Sequence, residues 1–285
     1  MNKRFSRGFT LIEILVVVSI FGLISSVALA NLQTARQRAE VAAGQQFHAT
    51  VERSLGVDEI GKWEFDEGLG STAIDGSGNG RDGSVVGATY INDGISGSAL
   101  LLDGNDYITG VGFPNPGENG QLTITAWVRP TNVAANNTLF QGGGSSCTAV
   151  AVGVTGGKTY SVSSATMMVA VPFDDEGNPT GGGGATSEQR IVVNNVWQNT
   201  TFVYSGNTLD TYINGVKKST VTTGTVDCSD EDWTVGSSLT SSGFGYGFNG
   251  AIDSVRVFGA ALTASEVQNI YAMGADAHRN PMVMK

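Results

Sequence analysis

The residues best placed to do chemistry sit at the start of the chain. Arg7 and Gly8 precede Phe9-Thr10-Leu11-Ile12-Glu13, and an apolar run follows from Ile14 to Ala30. Glu13 is the only charged residue between Phe9 and Ala30. A lone carboxylate in hydrocarbon costs a few kcal/mol, so it needs a partner or a task. No basic residue lies nearby in the run, which argues for a partner outside it. Cleavage after Gly8 would create an amine on Phe9. In a helical assembly, that amine could neutralise Glu13 of a neighbouring copy and fix the stagger between subunits.

A second candidate is the turn Asp75-Gly76-Ser77-Gly78-Asn79-Gly80-Arg81-Asp82-Gly83. Asp75 and Asn79 offer side-chain oxygens, and the glycines let carbonyls turn inward, as a calcium ion with six to eight oxygen ligands requires. The competing reading is a set of Asx-turns capping their own backbone. Cys147 and Cys228 are the two cysteines. In an exported domain they allow one disulfide, and otherwise they are two unpaired thiols. Catalysis has little support. Jelly-roll hydrolases need paired carboxylates across a cleft, and their usual Glu-x-Asp-x-x-Glu string is missing. The two histidines, His48 and His278, have no nucleophile context.

The elements that must position these residues divide the chain in two. The apolar stretch is long enough to cross a bilayer as a helix. Lys3, Arg4 and Arg7 before it should stay cytoplasmic and send the rest outside. Residues 31–55 contain no proline and many helix formers, so the helix should continue to about Ser54, roughly 70 Å at 1.5 Å per residue. From Gly56 onward, short apolar-polar alternations separated by Gly, Asn and Asp predict an all-β sandwich. Lys62–Glu67, Leu122–Val128, Trp197–Tyr204, Thr208–Ile213 and Gly250–Phe258 read as strands, and Asn214-Gly215 reads as a hairpin turn. Thr263-Ala264-Ser265-Glu266 has capping-box spacing and opens a short closing helix. With only 15% charged residues and 40 glycines, strands and turns are favoured over a bundle. The net charge of −10 argues against a nucleic-acid partner, which needs clustered Lys and Arg. Trp63, Trp127, Trp197 and Trp233 read mainly as core aromatics, although an exposed one could stack on a sugar.

Residues 3 to about 55, and Gly8, Phe9 and Glu13 above all, resemble the processing site and stem of type IV pilins and type II secretion pseudopilins. That resemblance implies a prepilin peptidase that cuts after Gly8 and methylates Phe9, with Glu13 in subunit docking. It implies other pilin-like subunits and the inner-membrane assembly machinery as partners. Residues 60–273 resemble laminin-G-like, concanavalin A-like jelly rolls of bacterial surface proteins. The marks are Trp63-Glu64-Phe65-Asp66-Glu67-Gly68, the Asp75 turn, Leu102-Asp103-Gly104, Thr123–Val128, Tyr212-Ile213-Asn214-Gly215 and Phe248–Val257. In similar domains a structural ion lies between the Asp75 turn and the strand matching Ala251-Ile252-Asp253, which adds Asp253 to the calcium candidates.

The expected organisation is a leader at 1–8, a transmembrane helix and stem at 9–56, a mainly β jelly-roll sandwich at 57–275 and a tail at 276–285. The expected protein is a non-enzymatic, single-pass subunit of the cytoplasmic membrane. It would assemble into a pilus or pseudopilus and display a domain that binds a glycan or a surface protein. The alternatives are a purely structural pseudopilin and, less favoured, an exported carbohydrate-active enzyme.

Overall fold

The computed structural model describes residues 10–113, 120–132, 137–143, 150–154, 192–206, 208–222, 232–240, 243–245 and 247–279. Gly8, Phe9, Cys147 and Cys228 lie outside them. The chain divides into two units, Met1–Ala49 and Thr50–Lys285.

Helix α1 spans Leu11–Leu55. Its segment Leu11–Gln33 is long and apolar enough to cross a membrane, and its described side chains are exposed. The last residues of α1 belong to the second unit, where Val51 and Leu55 are buried.

The sandwich follows. Its strands are β1 (Glu59–Trp63), β2 (Thr72–Ala73), β3 (Gly83–Val86), β4 (Thr89–Ile91), β5 (Ala99–Asp103), β6 (Tyr107–Gly110), β7 (Gln121–Pro130) and β8 (Asn137–Gly142). They continue with β9 (Val150–Val154), β10 (Gln198–Ser205), β11 (Thr208–Ile213), β12 (Val216–Thr222), β13 (Trp233–Val235), β14 (Ser238–Thr240), β15 (Gly243–Gly245) and β16 (Asn249–Phe258). Among the described residues the larger sheet has eight strands, ordered β12-β11-β10-β7-β16-β5-β4, with β1 also paired to β16. The second sheet has six, ordered β2-β3-β6-β13-β8-β9. All described pairings are antiparallel; the inner faces hold one core with Trp63, Phe65, Phe140, Phe202 and Trp233 fully buried. Trp63 and Trp233 lie 4.3 Å apart between ring centroids. Gly110 leaves room for Trp233: a Cβ there would lie 2.4 Å from the indole.

Two predicted features match closely. Asn214 and Gly215 take φ of 50° and 74°, the left-handed pair of a type I′ hairpin. Helix α2 (Ala264–Arg279) opens with a reciprocal cap: Thr263 N donates to Glu266 Oε2 at 2.7 Å, and Glu266 N donates to Thr263 Oγ1 at 3.3 Å. One predicted strand is wrong in extent. The first strand does not run Lys62–Glu67 but ends at Trp63. Phe65 turns left-handed, with φ of 55°, and points into the core fully buried.

Candidate functional site

Glu13 is positioned by the first turn of α1. Thr10 N and Thr10 Oγ1 both donate to Glu13 Oε2 at 2.8 Å, and Glu13 N donates to Thr10 Oγ1 at 3.4 Å. This is a capping box, the arrangement also seen at Thr263 and Glu266. The expectation that Glu13 has no local partner is therefore corrected. The partner is a hydroxyl and an N–H rather than a cation, and Thr-x-x-Glu spacing was the signal for it.

The acidic string after β1 is put to structural use. Glu64 lies 3.1 Å from Lys62 Nζ and accepts from Ser254 Oγ at 2.7 Å. Asp66 Oδ1 accepts from Ser98 N at 2.8 Å, and Glu67 Oε1 from Ile74 N at 2.7 Å. Burial and the Glu67 carboxylate push the Tyr90 phenol up to about 12. These carboxylates accept from a hydroxyl and from loop N–H groups.

Asp75 organises its own turn. Its Oδ1 accepts from Lys62 N at 3.0 Å and Ser77 N at 2.9 Å, and its Oδ2 accepts from Arg81 N at 2.9 Å. Burial raises the Asp75 carboxyl, but these hydrogen bonds outweigh it and leave the group below its ordinary range. Asn79 donates its amide to Glu59 O and Ser77 Oγ, both at 3.0 Å. The turn is thus satisfied as it stands. Asp253 has a different setting. Its Oδ2 accepts from Ile95 N at 2.7 Å and Ser96 N at 3.4 Å, pinning the loop before β5. Complete burial, with Glu64 as the strongest like-charged neighbour and Asp66 also near, pushes its pKa well above the carboxylate range. Among the described residues no three His, Cys, Asp or Glu side chains form a metal-ligating group.

Sequence reasoning missed what the outer face of the larger sheet gathers. Trp127 pairs across strands with Asp253, and Thr125 with Arg256. A bulge at Ser254, φ 48°, lets Asp253 and Arg256 share that face. Arg256 is 5% exposed and binds Glu59 at 2.5 Å and Glu52 at 2.9 Å, so the end of α1 is ion-paired to β16. Farther along, α2 lies over Trp127. A Cβ on Gly274 would lie 2.3 Å from its indole, and Tyr271 stacks on it with centroids 5.7 Å apart. The Arg129 guanidinium sits 5.0 Å from the centre of the Trp197 ring. Trp127, Trp197 and Tyr271 thereby line a groove of about 420 Å³ with Asn195, His278 and Arg279. Trp63 and Trp233 are core aromatics as expected, whereas Trp197 is only partly buried.

Comparison with known proteins places both parts of the chain. The model of the prokaryotic N-terminal methylation motif matches residues 3–29. That of the concanavalin A-like lectin/glucanases superfamily matches residues 102–268, more than half of the sequence. No match is found among curated proteins. Of solved structures, the chain is similar to domain 4 of AbnA, an extracellular arabinanase from Geobacillus stearothermophilus, in complex with arabinotriose. Identity is 20%, the TM-score is 0.51, and the match covers 75% of this chain and 98% of that one. It is also similar to Trypanosoma rangeli sialidase at 13% identity and a TM-score of 0.52, covering 80% of this chain and only 33% of the sialidase. At these identities the likeness shows the fold alone. By its larger part the chain belongs to the concanavalin A-like lectin/glucanases superfamily, and it carries that domain behind a prokaryotic N-terminal methylation motif.

Proposed function

We propose that this chain is a pilin-like subunit, cut after Gly8 and methylated on Phe9, that displays its sandwich outside the cytoplasmic membrane to bind a glycan or surface protein. The observation that carries this reading is the joining of a methylation motif and apolar helix to a lectin-type sandwich in one chain. The AbnA domain, which binds arabinotriose in its crystal, adds support for a saccharide. In this reading the domain binds its ligand without turning it over, and the buried Asp253 serves to hold the Ile95 N–H. The test is to express the full chain with its assembly machinery, sequence the mature N-terminus and probe the detergent-solubilised protein on a glycan array. A terminus at methylated Phe9 with saccharide binding is expected; a terminus at Asn31, as an ordinary signal-peptidase cut after Ala28-Leu29-Ala30 would leave, would overturn the pilin-like half.

A structural pseudopilin without a ligand is the second reading. The Glu52–Arg256 ion pair favours it, since tying the helix end to the sandwich suits a subunit that bears load. Loss of secretion on deletion, with no glycan bound, would select it. Calcium enters as a structural ion on the Asp75–Asn79 turn. A site there raises the melting temperature with calcium and loses the rise with chelator, whereas a turn satisfied by its own donors melts alike in both.

A further inference from the structure

We infer that the groove between α2 and the Trp127–Trp197 end of the larger sheet is a binding site for a neutral saccharide, an assignment that rests on the lectin-type reading above. Three aromatic rings and three planar polar side chains converge there: Trp127, Trp197, Tyr271, Asn195, His278 and Arg279. A sugar ring presents a flat C–H face and a rim of vicinal hydroxyls. Aromatic faces suit the first, and amide, imidazole and guanidinium groups suit the second.

Each part of the wall is held in place. Tyr271 is backed by Trp127, and Trp197 by Arg129. Asp253 holds Ile95, which closes one side of the groove, through its backbone N–H. Among the described residues, Trp197 Nε1 is buried with no hydrogen-bond partner, a donor left over where one is costly. Asn195 takes φ of 61° in the turn before β10, and its side chain is exposed where it lines the groove. A groove of about 420 Å³ falls within the size range of small-ligand sites.

The chemistry of the lining selects the class of ligand. Among the described residues, Arg279 faces Asp276 at 2.8 Å and Arg129 faces Asp93 at 2.5 Å, so each of these cations has a carboxylate beside it. Those carboxylates weaken the pull of the two arginines on a carboxylated or sulfated sugar. The lining pairs aromatic faces with an amide, an imidazole and a guanidinium, which match a sugar's C–H face and its hydroxyl rim together.

The experiment uses the full chain in detergent on an array of neutral oligosaccharides, sialylated and sulfated oligosaccharides, and apolar peptides. Wild type should bind neutral oligosaccharides. Trp197→Ala should weaken binding about tenfold or more, and Ala275→Arg, which fills the groove from α2, should abolish it. His278→Ala and Asn195→Gly should each weaken it about threefold to tenfold, and they keep the test sound if the tryptophan variant folds poorly. Glycine keeps the left-handed backbone at position 195. If wild type binds neutral sugars and all four variants bind equally well, the groove assignment falls while the lectin-type reading stands. Binding only acidic sugars, or only peptides, overturns the neutral-saccharide assignment. Binding to nothing on the array overturns both.

Discussion

Asp75 and Asp253 are both nearly inaccessible to solvent, yet acid acts on them in opposite senses. Asp75 is held below its ordinary range, so its stabilisation is full above the unfolded value near 3.8 and is lost as pH falls through the lower folded value. Asp253 is pushed up by burial and by Glu64 and Asp66, so its stabilisation is full below about 3.8 and is lost as pH rises through its folded value. Asp75→Asn should therefore destabilise the sandwich by about 1–3 kcal/mol at pH 7, because an amide cannot accept all three N–H groups, and the deficit should shrink in acid. Asp253→Asn keeps an acceptor for Ile95 N and removes the charge. Its melting temperature relative to wild type should rise with pH between 4 and 8. Chemical denaturation and melting curves across that range check both. Asp75 was visible in the sequence because its turn is local. Asp253 was picked out only through family resemblance, since its contacts lie about 158 residues away along the chain. Phe65 was misread because nothing in the string Trp63-Glu64-Phe65 signals a left-handed buried phenylalanine.

Among the elements, the ends of the helices carry the argument. Both helices open on Thr-x-x-Glu, and both boxes close. The other end of α1 is fixed by a contact no sequence pattern announces: Glu52 meets Arg256 across 204 residues, beside the buried Glu59. Burial raises the Glu59 carboxyl even though Arg256 works to lower it. Arg256→Met should leave Glu59 without its cation and cost about 3–5 kcal/mol at pH 7. Adding Glu59→Gln should recover much of that loss, because the uncompensated charge is then gone. Double-mutant denaturation measures the recovery, and a second substitution that makes matters worse would mean the buried charge was not the source. Strands β7, β10, β11 and β16 were legible, because apolar alternation and turn residues are local signals, whereas β8, β9 and β13 to β15 were not picked out. The pairing of β7 with β16 and the bulge at Ser254 were not, because register is set by packing between distant segments.

For the molecule as a whole, the proposed function requires one chain to hold an apolar helix in a membrane and a sandwich in water. Glu13 sits where those demands conflict. Its carboxylate is satisfied locally by Thr10, and an assembled filament would ask it to meet a neighbour's Phe9 amine as well. Glutamine separates the two duties, because it closes a capping box as glutamate does but carries no charge. Glu13→Ala should be cut after Gly8 yet be poorly incorporated, having lost both the cap and the charge. Glu13→Gln should also be cut, with its cap intact, and still incorporate as poorly as the alanine variant. Immunoblots of sheared filaments against the membrane fraction, with the mature N-terminus sequenced, read both steps. Filaments restored by glutamine would assign Glu13 to the helix cap alone and remove the carboxylate–amine pairing from the assembly mechanism.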